Sequence, residues 1–147
     1  MLELPRENLV LSRRVRERIR IATKAKEEIE AAVCQGIKRI EDDFMGWGLK
    51  DIHACLVGNH LLVLFQGIWT EGELQLVKSA SAGKGWDVLK QVRSQMFETG
   101  RPVLEELVQE VTGVKALSMH YDINNLTGKE IVLFTLAGSP FEGDPQS

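Results

Sequence analysis

His53, His60 and His120, together with Cys55, are the side chains of this chain whose types could ligate a metal ion or move a proton. Strand alternation places His53, Cys55 and His60 on one face of a predicted hairpin, and His120 on the mixed face of a later strand. Their spacing works against a shared ion. In the predicted register His60 lies opposite Val57, four residues or about 13 Å along the strand from His53. Histidines satisfied at an interface are the preferred reading, and no metal site is assigned. The second thiol, Cys34, falls in a helical stripe beside Val33, where cysteine is a small packing residue more often than a nucleophile. The two thiols form no CxxC, which argues against a disulfide framework and against a cysteine-based zinc site.

The arginines form the second group with chemistry. Arg13, Arg14, Arg16, Arg18 and Arg20 crowd five cations into nearly two helical turns, a density that could grip nucleic acid or anionic lipid. A helix whose cations meet the acidic remainder of the chain, or a neighbouring subunit, is preferred over that reading. Few aromatic residues accompany these arginines, so nucleic acid is disfavoured as a partner. Thr70, Arg93 and Arg101 with His120 define the alternative, a small-molecule or anion-binding enzyme with its site between sheet and helix. Thr70 already has a capping role, and Arg93 and Arg101 read as the wet face of a long helix. GWG at 46–48 and AGKG at 82–85 lack the spacing of phosphate-binding loops and read as breakers, although AGKG does precede a helix. No GxSxG or HExxH occurs, so no catalytic residue, metal or cofactor is assigned.

These residues must be positioned by a small set of elements. Val15, Ile19, Ala22, Ile29, Val33, Ile37, Ile40 and Phe44 recur at steps of three, four or seven, which predicts one helix from Ser12 to Phe44, about 50 Å long. Ser12 is the expected N-cap, and Gly46 with Gly48 the stop. A stripe this long needs cover, so these eight positions are the expected seam of a homo-oligomer, dimer or tetramer, in the manner of a coiled coil. Gly58-Asn59 between two apolar runs predicts a two-residue hairpin with Val57 opposite His60. Ile52, Ala54 and Leu56 then share a core face with Leu61, Val63 and Phe65. The other face, carrying Val57, Leu62 and Leu64, reads as covered or interfacial. Thr70 and Glu73 form a capping box that opens a short helix. Trp86, Leu89, Val92, Met96, Val103, Leu104, Leu107 and Val111 predict a kinked helix, or two abutting helices, interrupted at Gly100-Arg101-Pro102 and ending at Gly113. A second hairpin pairs Val114 to Ile123 with Lys129 to Leu136. Within it, Leu117, Met119, Tyr121 and Ile123 form the apolar face.

The expected fold class is α+β: a long N-terminal helix, then a four-stranded, mainly antiparallel sheet of two hairpins packed on a long kinked helix. The chain of 147 residues, 44% apolar, suits one domain. It divides into a basic arm for oligomerisation over 1–46, a body over 47–137 and a disordered tail over 138–147. Residues 1–26 hold eight basic and three acidic groups, a balance of +5, which leaves −8 on the rest of a chain whose total is −3. The longest apolar run, Leu61 to Phe65, is far too short to span a membrane, and the N-terminus shows no secretory signal. The expected location is therefore cytoplasmic.

GIWTEGEL (67–74), Arg93 followed by Arg101-Pro102, EVTGV (110–114) and SMHYDINNLTGKEIVLFTL (118–136) together make the stretch from Ile29 to Leu136 resemble the MpsC family of bacterial proteins. The resemblance implies an α+β protein associated with membrane systems for inorganic-carbon uptake and membrane potential, at the periphery of the inner membrane. It implies no established reaction. The chain departs from the family at Gly46-Trp47-Gly48-Leu49, where many members have Gly-Lys/Arg-Gly-Pro, and in its long basic N-terminal extension. The functional expectation is a non-enzymatic, self-associating interaction or regulatory protein, an accessory of a membrane transport complex.

Overall fold

The computed structural model describes residues 12–46, 48–67, 69–79 and 84–141. The long first helix forms as the apolar spacing requires: α1 spans Arg13–Ile40, about 42 Å at 1.5 Å per residue. Ser12 caps it, its Oγ accepting from the Val15 N–H at 3.2 Å. The last turn, Glu41–Met45, widens into a π-helical turn and stops at Gly46, which takes a left-handed conformation (φ 67°).

Strands β1 (Leu49–Val57) and β2 (His60–Gly67) form the first hairpin, with Val57 opposite His60 and Leu56 opposite Leu61, in the register that Gly58-Asn59 dictates. Helix α2 covers Glu71–Ser79 and α3 covers Lys84–Thr112, ending at Gly113 (φ 77°). Strands β3 (Ala116–Ile123) and β4 (Lys129–Leu136) complete an all-antiparallel sheet of order β1-β2-β4-β3. The α+β class and the two-hairpin sheet packed against a long helix are as the sequence predicts. Helix α3 runs through Pro102 as one helix rather than as two abutting ones.

The core lies between one face of this sheet and the two long helices, and includes Val33, Ile37, Leu61, Val63, Phe97, Leu104, Val108 and Phe134. Helix α1 also closes an edge. The Val57/His60 pair flanks a two-residue turn and exchanges ladder bonds, so the next amide outward, that of Leu56, points away from β2. Glu30 on α1 accepts from that amide at 2.7 Å, and Cys34 Sγ donates to the Ile52 carbonyl at 3.7 Å. The free edge of β1 is thus covered by polar partners from a helix, which blocks edge-to-edge pairing there.

Three expectations need correction. A register shift between Ala116 and Ser118 turns Ala116 into the core and leaves Leu117 exposed, so Leu117 drops off the apolar face of β3. The tail is not free from residue 138: Phe141 is partly buried against the core. Residues 142–147 lie outside the described residues. The division between arm and body also falls inside α1 rather than at residues 46 and 47, because the C-terminal half of α1 is built into the core while every described side chain from Arg13 to Ala22 is exposed.

Candidate functional site

The heart of the molecule is a charged cluster. Leu89, Arg93, Phe97, Leu104 and Val108 repeat at four-, four-, seven- and four-residue steps on α3, so they share the face turned to the sheet. Arg93 is 1% exposed on that face, which corrects its reading as part of a wet one. On the sheet, alternation along β4 puts Glu130 in line with Val132, Phe134 and Leu136, all buried.

The two meet. Arg93 Nη1 donates to both carboxylate oxygens of Glu130, at 3.1 and 3.4 Å, and Nη2 donates to Glu73 Oε2 at 3.2 Å. Glu130 also accepts from the Gly67 N–H at 3.0 Å and from the Tyr121 hydroxyl at 2.5 Å. Trp69 lays its ring over the guanidinium, 4.0 Å from the centroid, and Trp86 meets Trp69 edge-on. The Tyr121 ring stacks on Phe97 at 4.5 Å. Gly67 is required for this approach: a Cβ there would stand 2.6 Å from Glu130 Oε2 and 2.7 Å from Arg93 Nη1.

Glu73 divides its carboxylate between two tasks. Oε1 accepts from the Thr70 N–H at 2.9 Å while Thr70 Oγ1 accepts from the Glu73 N–H at 3.1 Å, the capping box expected from the sequence. Oε2 serves Arg93, so the start of α2 is tied to the buried arginine. Burial by itself would raise the Glu73 carboxyl. The Thr70 amide and the charge of Arg93 more than offset it and hold the group below its ordinary range. At Glu130 burial wins, and the carboxyl is raised despite Arg93 and Tyr121. Burial, then the charge of Glu130, push the Tyr121 hydroxyl up, so it stays protonated and donating.

With these donors engaged by the protein's own carboxylates, the cluster is an internal clamp joining α3, β4, β3 and the start of α2. Its Nη donors face carboxylates of the chain itself. Arg93 is therefore withdrawn from the candidate anion-binding residues. Arg101 pairs with Glu105 and Glu98 on its own helix. The alternative enzyme site does not assemble: Arg101 is eight residues, or about 12 Å, along α3 from Arg93, and His120 is exposed on the opposite face of the sheet. His53, opposite Leu64, stays four residues or about 13 Å along β2 from His60. Cys55 and His120 end one cross-strand row, Cys55–Leu62–Leu133–His120, three strand spacings or about 14 Å apart. Among the described residues no group of three or more His, Cys, Asp or Glu is placed to hold a metal ion. Burial pushes the Cys34 thiol up, consistent with a packing role. Gly85 of AGKG is buried against the backbone of Leu76 and Val77, a helix contact rather than a cradle; Ala82 and Gly83 lie outside the described residues. Of GWG, Gly48 donates its N–H to the buried Glu41 carboxylate, and Trp47 lies outside the described residues.

The expected seam divides along its length. Val33 and Ile37 are buried in the chain's own core, and Ile29 and Ile40 pack against it. Val15 (39% exposed), Ile19 (50%) and Ala22 face solvent, as do Arg13, Arg14, Arg16, Arg18 and Arg20. The Phe44 side chain lies outside the described residues. A second uncovered surface is the outer face of the sheet, where Leu62, Leu64, Ile131 and Leu133 occupy the two central strands.

Sequence reasoning missed the clamp, although two signals were present. Arg93 stands in phase with Leu89 and Phe97, and Glu130 in phase with Val132 and Phe134. A lone charge within each apolar period marks an ion pair that folding must bury.

Comparison with known proteins divides the chain at the same place as the burial does. The sequence model of a family described as "Na+-translocating membrane potential-generating system (MpsC)" matches residues 25–138. A Bacillus subtilis (strain 168) protein named "Uncharacterized protein YbcI" is 29% identical over 113 residues, 77% of this chain and 89% of that protein. No solved structure matches. The matched region begins just past the exposed end of α1.

Proposed function

Since this chain belongs to the MpsC family, we propose that it is a non-catalytic, self-associating accessory of a membrane-potential or ion-translocating system, joined to its like by the exposed end of α1. The observation that carries this reading is the bareness of that segment. Val15, Ile19 and Ala22 continue the stripe that Ile29, Val33 and Ile37 bury in the core, yet none of the described residues covers them. A polar-backed helix projecting alone is marginal in water, and packing of its apolar stripe supplies most of its stability. No helix of the described residues is long and apolar enough to cross a membrane, so a role in translocation would be that of a partner to a spanning protein.

A catalytic role finds little support in the clamp, whose Arg93 Nη groups and Glu130 carboxylate bond to the chain's own residues, or in histidines spread along the sheet. The test is sedimentation of the full chain at micromolar concentration. A dimer or tetramer is expected, and a monomer would refute self-association. The accessory role is tested by copurifying the full chain with the ion-translocating membrane proteins of its own cell; absence of any such complex would remove it. The arm's five arginines favour a second reading, attachment to anionic lipid, which predicts retention on anionic vesicles at low salt that is lost as salt rises.

A further inference from the structure

On the side away from the sheet, α1 and α3 leave a groove. Ile40, Val103, Leu107 and Val111 line it, and Glu106 and Glu110 stand on its α3 side. Arg39 on the α1 side is the one base among the lining residues, against these two acids. The helices approach closely at its centre, where a Cβ on Gly36 would fall 2.4 Å from Leu107 Cδ1.

We propose that this groove receives the arm, Arg13 to Ala22, of a second copy of the chain, and that the exchange is reciprocal. The proposal rests on the self-association argued above and names the surface that carries it. Arm and groove match in length. The apolar stripe from Val15 to Ala22 is about 11 Å long, and the groove floor from Val103 to Val111 about 12 Å. They match in character, since Val15, Ile19 and Ala22 offer the arm's apolar stripe to a floor whose Val103 is itself exposed. They match in charge: the arm brings Arg13, Arg14, Arg16, Arg18 and Arg20 to a rim bearing Glu106 and Glu110, on a body whose balance is −8 against the +5 of residues 1–26.

The arm cannot fill its own groove. It is the continuation of α1, and α1 from Ala32 to Ile40 is one wall of that groove, so a continuous helix carries the arm away from it. The same continuity makes a second copy fit twice. Arm and wall sit at opposite ends of one helix, with a midpoint near residue 26. Two α1 helices set antiparallel about a twofold axis therefore bring each arm to the other's wall at once, an isologous contact that closes.

The experiment is a double-mutant cycle on the full chain, read as the dimer dissociation constant by sedimentation, with helicity and melting temperature checked for every variant. One variant carries Glu106→Lys and Glu110→Lys. The other carries Gln in place of Arg13, Arg14, Arg16, Arg18 and Arg20. Each is expected to raise the dissociation constant by about tenfold or more, and the combined variant to be no weaker than the weaker parent, because the two sets act on one contact. Four results would overturn the proposal. If the chain is an oligomer whose dissociation constant the groove variant does not change, the groove is wrong while self-association stands, and the outer sheet face with Leu62 and Leu64 becomes the interface. Strictly additive effects would mean that arm and groove do not touch. If the arm variant loses retention on anionic vesicles while assembly is unchanged, the arm belongs to a lipid surface. A monomeric parent would refute both the groove and the self-association beneath it.

Discussion

Arg93 concentrates most of the molecule's electrostatic risk in one side chain, because a buried guanidinium is tolerable only while its carboxylates stay in place. Removing one partner of such a pair costs about 3–5 kcal/mol, whereas an exposed pair contributes about 0–1. Arg93→Met is therefore expected to lower stability by about 3–5 kcal/mol in urea denaturation. Arg93→Lys should not rescue it, since a single ammonium cannot bridge Glu130 and Glu73 in the plane of a fork. Gly67→Ala should cost about 1–3 kcal/mol by forcing Glu130 and Arg93 apart. Glu73 adds a pH signature. Its folded-state pKa lies below its unfolded value, so its stabilisation is present above about pH 4.3 and lost as pH falls through the folded value. The stability gap between the parent and Glu73→Gln should be full at pH 7 and close as pH falls through the lowered folded-state value. Glu130, with a raised pKa, contributes in the opposite sense. A closing gap on raising the pH would refute the assignment to Glu73.

Among the elements, α1 is two structures in one continuous helix. Its C-terminal half is core: Val33→Asp would place a charge at a site 0% exposed and is expected to abolish the cooperative melt. Its N-terminal half is bare, so Val15→Asp with Ile19→Asp should leave the stability of the monomeric body nearly unchanged, within about 0.5 kcal/mol, while abolishing the proposed assembly. Circular dichroism and sedimentation of the same samples separate the two outcomes. How well each element could be read from the sequence follows the range of the forces that set it. The first hairpin was legible from the Val57/His60 pair out to His53/Leu64, because Gly58-Asn59 fixes its register locally; the register shift between Lys50 and His53, where Asp51 takes a positive φ, was not. The capping box of Thr70 and Glu73 was legible for the same reason. The exposed phase of α3 was not: Val92 and Val103 were placed on the apolar stripe, yet both are exposed, because the helix is rotated to bury Arg93 against a carboxylate 37 positions later. The split of α1 escaped for a related reason. A periodic stripe shows that a face is apolar, but what covers each half depends on where β1 and α3 run out.

For the whole molecule, the question is which force would hold the proposed assembly of two chains, since arm and body carry opposite charge and the arm also carries an apolar stripe. Exposed ion pairs contribute about 0–1 kcal/mol each and are screened within about 8–10 Å at physiological salt, while burial of the Val15 to Ala22 stripe is not screened. If both act together, raising salt from low to moderate should shift the dissociation constant by about tenfold or less. Reversing Glu106 and Glu110 should do more than salt does, because it replaces attraction by repulsion at both symmetric contacts instead of merely screening it. Sedimentation across a salt series reads the balance directly. Complete dissociation of the parent in moderate salt would mean that the arginines hold the assembly and the stripe only shapes the arm. The exposed Val15 and Ile19 would then need another partner, and an anionic lipid surface, which takes both the charge and the apolar face, would be the better fit.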